Sequence, residues 1–322
     1  MSSTNSQQRP VQIGLNTSDM AGSLRMYTEL GFHNAGGHFI WGQAMAIQGL
    51  PESARGMMWW MVGRQHRVQL EFFNLTNPRQ RPQDENWRCC DLGWTRFGIV
   101  VSDYDAARAT LEAWNIPITG EISDPNQQRR LAFRDPFIGC YVEIFEDGEF
   151  LPGGPVVTHH ELDSAIVYAT SSVSDLASAR HYYEEVLGLE IADDILLHSE
   201  KHEALWELPG AKSKSFIVTG GGFLLEIVEY TTPVGKPRAA DYTVADQGIL
   251  NIAVASHEAE VTKQSIERVK NAGYQISEVV EFSGACGTYI LHPEREVELC
   301  SMPTELEAMF GYNPSNPFFG QQ

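Results

Sequence analysis

The chain repeats itself at one interval. Residues 11–19, a short alternating apolar stretch ending in Ser18 and Asp19, lead into an amphipathic run over 20–30 that closes on Gly31; residues 166–175 end in Ser174 and Asp175 and lead into 176–187, closing on Gly188. An aspartate at such a junction accepts the free N–H groups of a starting helix, and a glycine beyond the run ends it. In both copies a tyrosine, Tyr27 or Tyr183, stands eight residues after the aspartate, on the face a helix would press against a sheet. Two more units show the same strand-then-helix order: residues 96–103 run into 104–114, and 251–256 run into 257–273, with His257 in the capping aspartate's place. Each unit is followed by a strand with a central glutamate: Glu71, Glu143, Glu226 and Glu298. Glu71 to Glu226, Arg96 to Asn251 and Glu143 to Glu298 are each 155 residues, and Gln12 to Tyr168 is 156. A period this long specifies a duplicated architecture. The chain reads as two halves, 1–152 and 153–322, joined near 153–160, each made of two βαβββ modules.

Composition narrows the function classes. With 23 Lys+Arg against 42 Asp+Glu in 322 residues, the formal net charge is −19. Such a chain repels phosphate backbones and anionic lipid, so neither nucleic acid nor a membrane surface is an expected partner. No apolar run approaches the roughly 18 residues of a membrane helix, and residues 1–10 are polar, without the apolar core of a secretory signal. The five cysteines, Cys89, Cys90, Cys140, Cys286 and Cys300, form no CxxC pair and read as reduced thiols of a cytoplasmic protein.

Strand alternation indicates which side chains share a face. In the first half Gln12, Asn16, Gln69, Glu71, Arg96, Tyr141 and Glu143 would line one cup. In the second half Tyr168, Thr170, Ser172, Glu226, Asn251, Glu296 and Glu298 would line another. Four βαβββ modules, with a polar residue opening the first strand of each and a glutamate in its last, resemble the vicinal oxygen chelate superfamily. That superfamily includes glyoxalase I, bleomycin-resistance proteins, epimerases and extradiol ring-cleavage dioxygenases. The resemblance covers about residues 10–303. It implies an α+β fold in which the four modules pair into two cup-shaped mixed sheets, with an active site inside a cup.

In metal-using relatives the four aligned positions carry histidine, glutamate or glutamine. Here they read Gln12, Glu71, Arg96 and Glu143 in one half and Tyr168, Glu226, Asn251 and Glu298 in the other, without a histidine. A ferrous ring-cleavage site needs two histidines and a carboxylate, so the resemblance points away from that chemistry. Arg96 cannot serve as a practical ligand; it either plugs a retired site by pairing with its glutamates or clamps a substrate carboxylate or enolate oxygen. Glu226 and Glu298 are expected to share the second cup with no aligned cation. They would then act as base and acid, hold a divalent ion, or hydrogen-bond to each other in an inactive cup. Asn251 and Tyr168 would stabilise a developing oxyanion.

His198 and His202 fall where relatives build the hairpin bordering the pocket, as rim acid/base residues or as an exposed polar loop. His159 and His160 lie in the linker. Trp59, within the run 57–61 (Met-Met-Trp-Trp-Met), and Trp206 are expected as apolar walls for a flat ligand or as core. Together these features point to a small-molecule enzyme doing proton-transfer chemistry, as an isomerase or lyase, on an oxygenated aromatic or carbonyl compound. A metal-free binding or resistance protein is the alternative, and a diverged dioxygenase the third. Either no cofactor or one divalent metal, Mg or Mn rather than Fe, is expected, with no nucleotide. The assembly would be a monomer or a homodimer.

Overall fold

The computed structural model describes residues 8–123, 128–159, 161–292, 294 and 296–315. The first module comprises β1 (Arg9–Asn16), α1 (Met20–Glu29), β2 (His33–Trp41), the single turn α2 (Gln43–Ala46), β3 (Arg55–Val62) and β4 (Gln69–Asn77). The second has β5 (Gly93–Val101), α3 (Tyr104–Ala113), β6 (Ile118–Ile122), β7 (Arg130–Arg134) and β8 (Tyr141–Glu146). The third has β9 (Ala165–Ser172), α4 (Leu176–His181), β10 (Glu190–Ala192), β11 (Lys212–Thr219) and β12 (Leu224–Thr232). The fourth has β13 (Gly248–Ser256), α5 (Ala259–Asn271), β14 (Val280–Phe282), β15 (Ala285–Ile290) and β16 (Val297–Ser301). This is the expected α+β arrangement of four βαβββ modules in two mixed sheets.

The capping aspartates act as the sequence suggests. Asp19, Asp103 and Asp175 each accept the backbone N–H three residues on, at 2.9–3.0 Å. His257 is not the fourth cap: Glu258 stands at that position in α5 and makes no side-chain capping bond. Met20, Leu24 and Tyr27, on one face of α1, are buried in a core that also takes in Ile13 and Leu15 of β1, Phe97 of β5 and Ile252 of β13. The helix-facing surfaces of both sheets thus share a single apolar interior. Burying side chains of this size is worth about 1.5–3 kcal/mol each.

The pairing of modules differs from the expectation that each half forms its own cup. One sheet runs β14-β15-β16-β13-β1-β4-β3-β2, joining the first module to the fourth; the other runs β10-β11-β12-β9-β5-β8-β7-β6, joining the second to the third. The central seams are antiparallel, with Gly14 opposite Asn251 and Gly98 opposite Tyr168. Sterics explain the choice. A Cβ built on Gly14 would lie 2.1 Å from Asn251 Oδ1, and one on Gly98 would lie 2.2 Å from the Tyr168 ring. The first and second modules carry a glycine two residues after the polar position; the third and fourth carry Thr170 and Ala253 there. Each glycine strand therefore makes room for the side chain of a strand that lacks one. The connections over residues 78–92 and 233–247, fifteen residues each, carry the chain from one sheet to the other, and extended they could span about 50 Å.

Candidate active site

Cross-pairing redistributes the eight aligned residues. The first cup contains Gln12, Glu71, Asn251 and Glu298; the second contains Arg96, Glu143, Tyr168 and Glu226. Glu226 and Glu298, expected to converge, lie in different cups, and so do Glu71 and Arg96.

The second cup is filled by its own ion pairs. Arg96 Nη2 donates to Glu226 Oε2 at 2.9 Å and Nη1 to the Tyr230 hydroxyl at 3.1 Å. Its guanidinium lies 4.2 Å over the Trp206 ring. His198 stands between the two glutamates, with Nδ1 2.9 Å from Glu226 and Nε2 2.9 Å from Glu143. The Tyr168 hydroxyl donates to Glu143 at 2.6 Å, and Arg130 reaches the same carboxylate at 3.3 Å. The side chains of Arg96, Glu143, His198 and Glu226 are each no more than 3% exposed. Burial alone would raise Glu226, but His198 and Arg96 hold it down to about 2. Burial opposes the charge on His198 too, and the flanking glutamates raise it above the ordinary imidazole value. Arg96 is ion-paired, but with Glu226 of the third module and not with a glutamate of its own half, and a buried histidine completes the network.

His198 is therefore neither a rim residue nor part of an exposed loop. His202 is buried as well, with Nδ1 accepting from the Ser199 backbone N–H at 2.9 Å. Burial, with Arg130 and His198 nearby, pushes it down to about 4. Trp206 is buried in this cup and donates to Glu203 at 2.9 Å. His159 stays in the linker beside His66, and His160 lies outside the described residues.

The first cup is built differently. It encloses a cavity of about 230 Å³ that Gln12, Gln69, Glu71, Tyr289 and Glu298 line at its polar end. Glu71 accepts from Trp60 Nε1 at 2.8 Å and from the Gln12 amide, whose own oxygen accepts from Gln69 at 2.6 Å. Glu298 accepts from Asn251 Nδ2 at 3.4 Å and from the Tyr289 hydroxyl. Among the described lining residues there is no lysine, arginine or histidine. Burial, reinforced by the neighbouring Glu298 charge, pushes Glu71 well above the usual carboxyl range. Burial likewise pushes Glu298 up to about 7, against the bonds from Tyr289 and Asn251. Glu298 can thus give or take a proton near neutrality, beside a second carboxyl that burial pushes upward.

Hairpin register sets this contrast. Opposite Glu71 stands Trp60, and opposite Glu298 stands Tyr289, each an aromatic donor; opposite Glu143 and Glu226 stand Ala132 and Ile217. The small or aliphatic partners leave space that Arg96 and His198 occupy. Trp60 and Tyr289 were not singled out in the sequence, although counting back through each antiparallel hairpin would have found them. Trp59 faces the other way: it packs on the helix-side core and donates to Asn34 at 2.7 Å. Met58 and Trp60 are the members of that run that line the cavity, along with Phe310 and Tyr312 from beyond the last module.

A larger cavity, about 280 Å³, lies between the inter-sheet connections and contains none of the eight aligned residues. Its arginines are committed: Arg81 to Asp241 and Asp246, and Arg238 to Glu296 at 2.7 Å. The first cup is the candidate site.

No family model matches the chain, and no curated protein does. Solved structures do. A candidate dioxygenase of Bacillus subtilis superposes with a TM-score of 0.61 at 15% identity, covering 97% of this chain and 93% of that one. Glyoxalase I from Zea mays gives 0.55 at 12% identity over 91% and 92%, and a point mutant of that enzyme gives 0.57 at 12% over 92% and 94%. At these identities the likeness establishes the fold, which is glyoxalase-like.

Proposed function

We propose that this chain, with the glyoxalase-like fold of the vicinal oxygen chelate proteins, is a small-molecule enzyme that moves a proton next to a ligand oxygen, as an isomerase or lyase. One observation carries the reading: Glu71 and Glu298 face a single cavity without a cation among its described lining residues, while their counterparts in the other cup, Glu143 and Glu226, are ion-paired. Glu298, poised near neutrality, takes a proton from carbon while the electron pair moves to the adjacent carbonyl oxygen. Glu71, whose raised carboxyl favours its protonated form, hydrogen-bonds to that oxygen as charge develops, and the Tyr289 hydroxyl turns to it as Glu298, its acceptor in the resting site, takes up the proton. Returning the proton to a different carbon gives isomerisation; expulsion of a neighbouring group gives elimination.

The site also suits a hard divalent ion. Gln12, Gln69, Glu71 and Glu298 line the cavity and can all offer oxygen, the donor set of Mg²⁺ and Mn²⁺, and Gln69 Oε1 is buried with no hydrogen-bond partner among the described residues. When bound, such an ion supplies Lewis-acid polarisation of the ligand oxygen. The residue assignments above hold with or without it.

The test is solvent deuterium exchange at the carbon next to the carbonyl of 2-acetylnaphthalene, followed by NMR in D2O. The intact protein accelerates the exchange, and Glu298→Gln or Glu71→Gln lowers it by roughly 100-fold or more, the usual contribution of general acid–base catalysis. Glu226→Gln, in the other cup, leaves it within a few-fold. Binding without exchange would instead mark a sequestering protein, and exchange that survives both first-cup substitutions would refute the assignment.

A further inference from the structure

The composition of the first cup constrains its ligand beyond the reaction type. Aromatic side chains make up much of its wall, among them Trp60, Phe73, Phe282, Tyr289 and Phe310. Phe282 and Phe310 meet edge to face with ring centroids 6.5 Å apart. The polar end presents two carboxyl groups and two amides. The cup buries acids where an anion would need a donor or a cation, and the arginines of the other cup are buried in their own pairs. A ligand carboxylate or phosphate would lose its water and meet like charge with no cation among the described lining residues to offset it. A volume of about 230 Å³ exceeds by roughly half the ~150 Å³ cavity known to take one benzene, which is space for a two-ring skeleton.

We infer that the Glu71–Glu298 cavity selects uncharged aromatic ligands of about two rings, bearing a carbonyl or hydroxyl, and excludes their anionic analogues. This rests on the first cup being the working site, and deepens that reading by fixing the charge class of the substrate. The walls bind the rings, and the Glu298 carboxylate repels a ligand that brings a full negative charge to the polar end. Like-charge contact at a few ångströms in a partly dry site weakens binding by about 100-fold or more.

The experiment compares 2-acetylnaphthalene with 6-acetyl-2-naphthoate, which share a skeleton and differ in one carboxylate. Both are titrated by calorimetry into the full chain at pH 7.5 in EDTA. The neutral ketone is expected to bind below about 1 mM, and the naphthoate about 100-fold more weakly or not at all. In the Glu71→Gln/Glu298→Gln double variant the ratio falls below about 10-fold. Ala44 lines the cavity from the exposed turn α2, so Ala44→Lys adds a cation at the rim without touching the polar end. It is expected to improve the naphthoate relative to the ketone by 5-fold or more. Equal affinity of the two ligands for the intact protein overturns the inference. So does failure of the ketone to bind, or a ratio that neither the double variant nor Ala44→Lys alters. Charge discrimination without deuterium exchange would refute the proton-transfer reading alone; exchange without discrimination would refute this one alone.

Discussion

Replacing a glutamate by its isosteric amide should have opposite consequences in the two cups. Glu226 is held at about 2 against an ordinary 4.5. At about 1.4 kcal/mol per pH unit, its charged form contributes roughly 3 kcal/mol to folding. Because the folded value lies below the unfolded one, that stability is complete above pH 4.5 and is lost as pH falls towards 2. Glu226→Gln removes it and leaves Arg96 short of a counter-charge. Glu298 is displaced the other way, up to about 7. Between pH 4.5 and 7 the unfolded chain releases this proton while the folded chain keeps it, so the native state loses roughly 3 kcal/mol as pH rises through that window. Glu298→Gln abolishes the loss. At about 2.1 cal/mol/K per residue, 322 residues give an unfolding entropy of roughly 0.7 kcal/mol/K, so 3 kcal/mol moves the melting temperature by about 4 °C if unfolding is a single step. Scanning calorimetry of EDTA-treated protein at pH 5 and pH 8 should show Glu226→Gln melting about 4 °C below the wild type at both. Glu298→Gln should match the wild type at pH 5 and exceed it by about 4 °C at pH 8. If Glu298→Gln lowers the melting temperature at pH 8, or if its difference is the same at both pH values, the first cup is not holding an unpaired, destabilised carboxyl group and the assignment of the site fails.

Three further outcomes are expected. Addition of Mn²⁺ or Mg²⁺ to EDTA-treated protein should raise the melting temperature by a few degrees, as any ligand of the native state does, and the Glu71→Gln/Glu298→Gln double variant should abolish the effect; an equal rise in that variant would place the ion elsewhere. Gly98→Ala forces a Cβ to within 2.2 Å of the Tyr168 ring and should destabilise by about 1–3 kcal/mol, as overpacking does, read as the midpoint of guanidinium unfolding. Phe310→Ala removes a half-buried wall residue of the cavity and should weaken 2-acetylnaphthalene binding several-fold while moving the melting temperature by less than about 2 °C; a large loss of stability with unchanged binding would show that Phe310 is core and not wall.

Much of this was legible in the chain. The 155-residue interval, the aspartate caps and the central glutamates specify the four modules, because each depends on local spacing alone. Which module pairs with which is not local. The choice turns on whether a strand offers a side chain or a gap at its seam, and the relevant signal was present: Gly14 and Gly98 follow Gln12 and Arg96 by two residues, while Thr170 and Ala253 take that place in the other modules. At this register, pairing the third module with the fourth would set Asn251 against Thr170 and Tyr168 against Ala253, with no glycine to make room, so complementarity favours the crossed arrangement. His198 was hidden for another reason. It comes from the segment between β10 and β11, whose counterpart one interval earlier carries Gln43 and not a histidine, and only the folded chain shows its imidazole closing the gap between Glu143 and Glu226.

Crossed pairing also explains how one duplicated site can become two unlike ones. Crossing brings one central glutamate from each of two modules into every cup, Glu71 with Glu298 and Glu143 with Glu226, so each cup begins with two acids that repel. Arg96 and His198 resolve that repulsion in one cup by charge, and each ion so paired is 3% exposed or less, which leaves little room for a ligand. Trp60 and Tyr289 meet the same problem in the other cup with neutral donors, which satisfy the oxygens without cancelling the charge. The first solution yields stability; the second leaves the carboxyl groups perturbed and open to a cavity, the state in which a proton near neutral pH is easily given or taken. Installing the cation in the working cup would convert one into the other, and Trp60→Arg is the substitution that does so. Its guanidinium would replace a hydrogen bond to Glu71 with an ion pair, lower both carboxyl groups towards their usual range and fill part of the cavity. Deuterium exchange should fall by roughly 100-fold or more while the pH dependence of stability between 4.5 and 7 flattens; retention of that dependence with loss of exchange would show that Trp60 acts by shape alone.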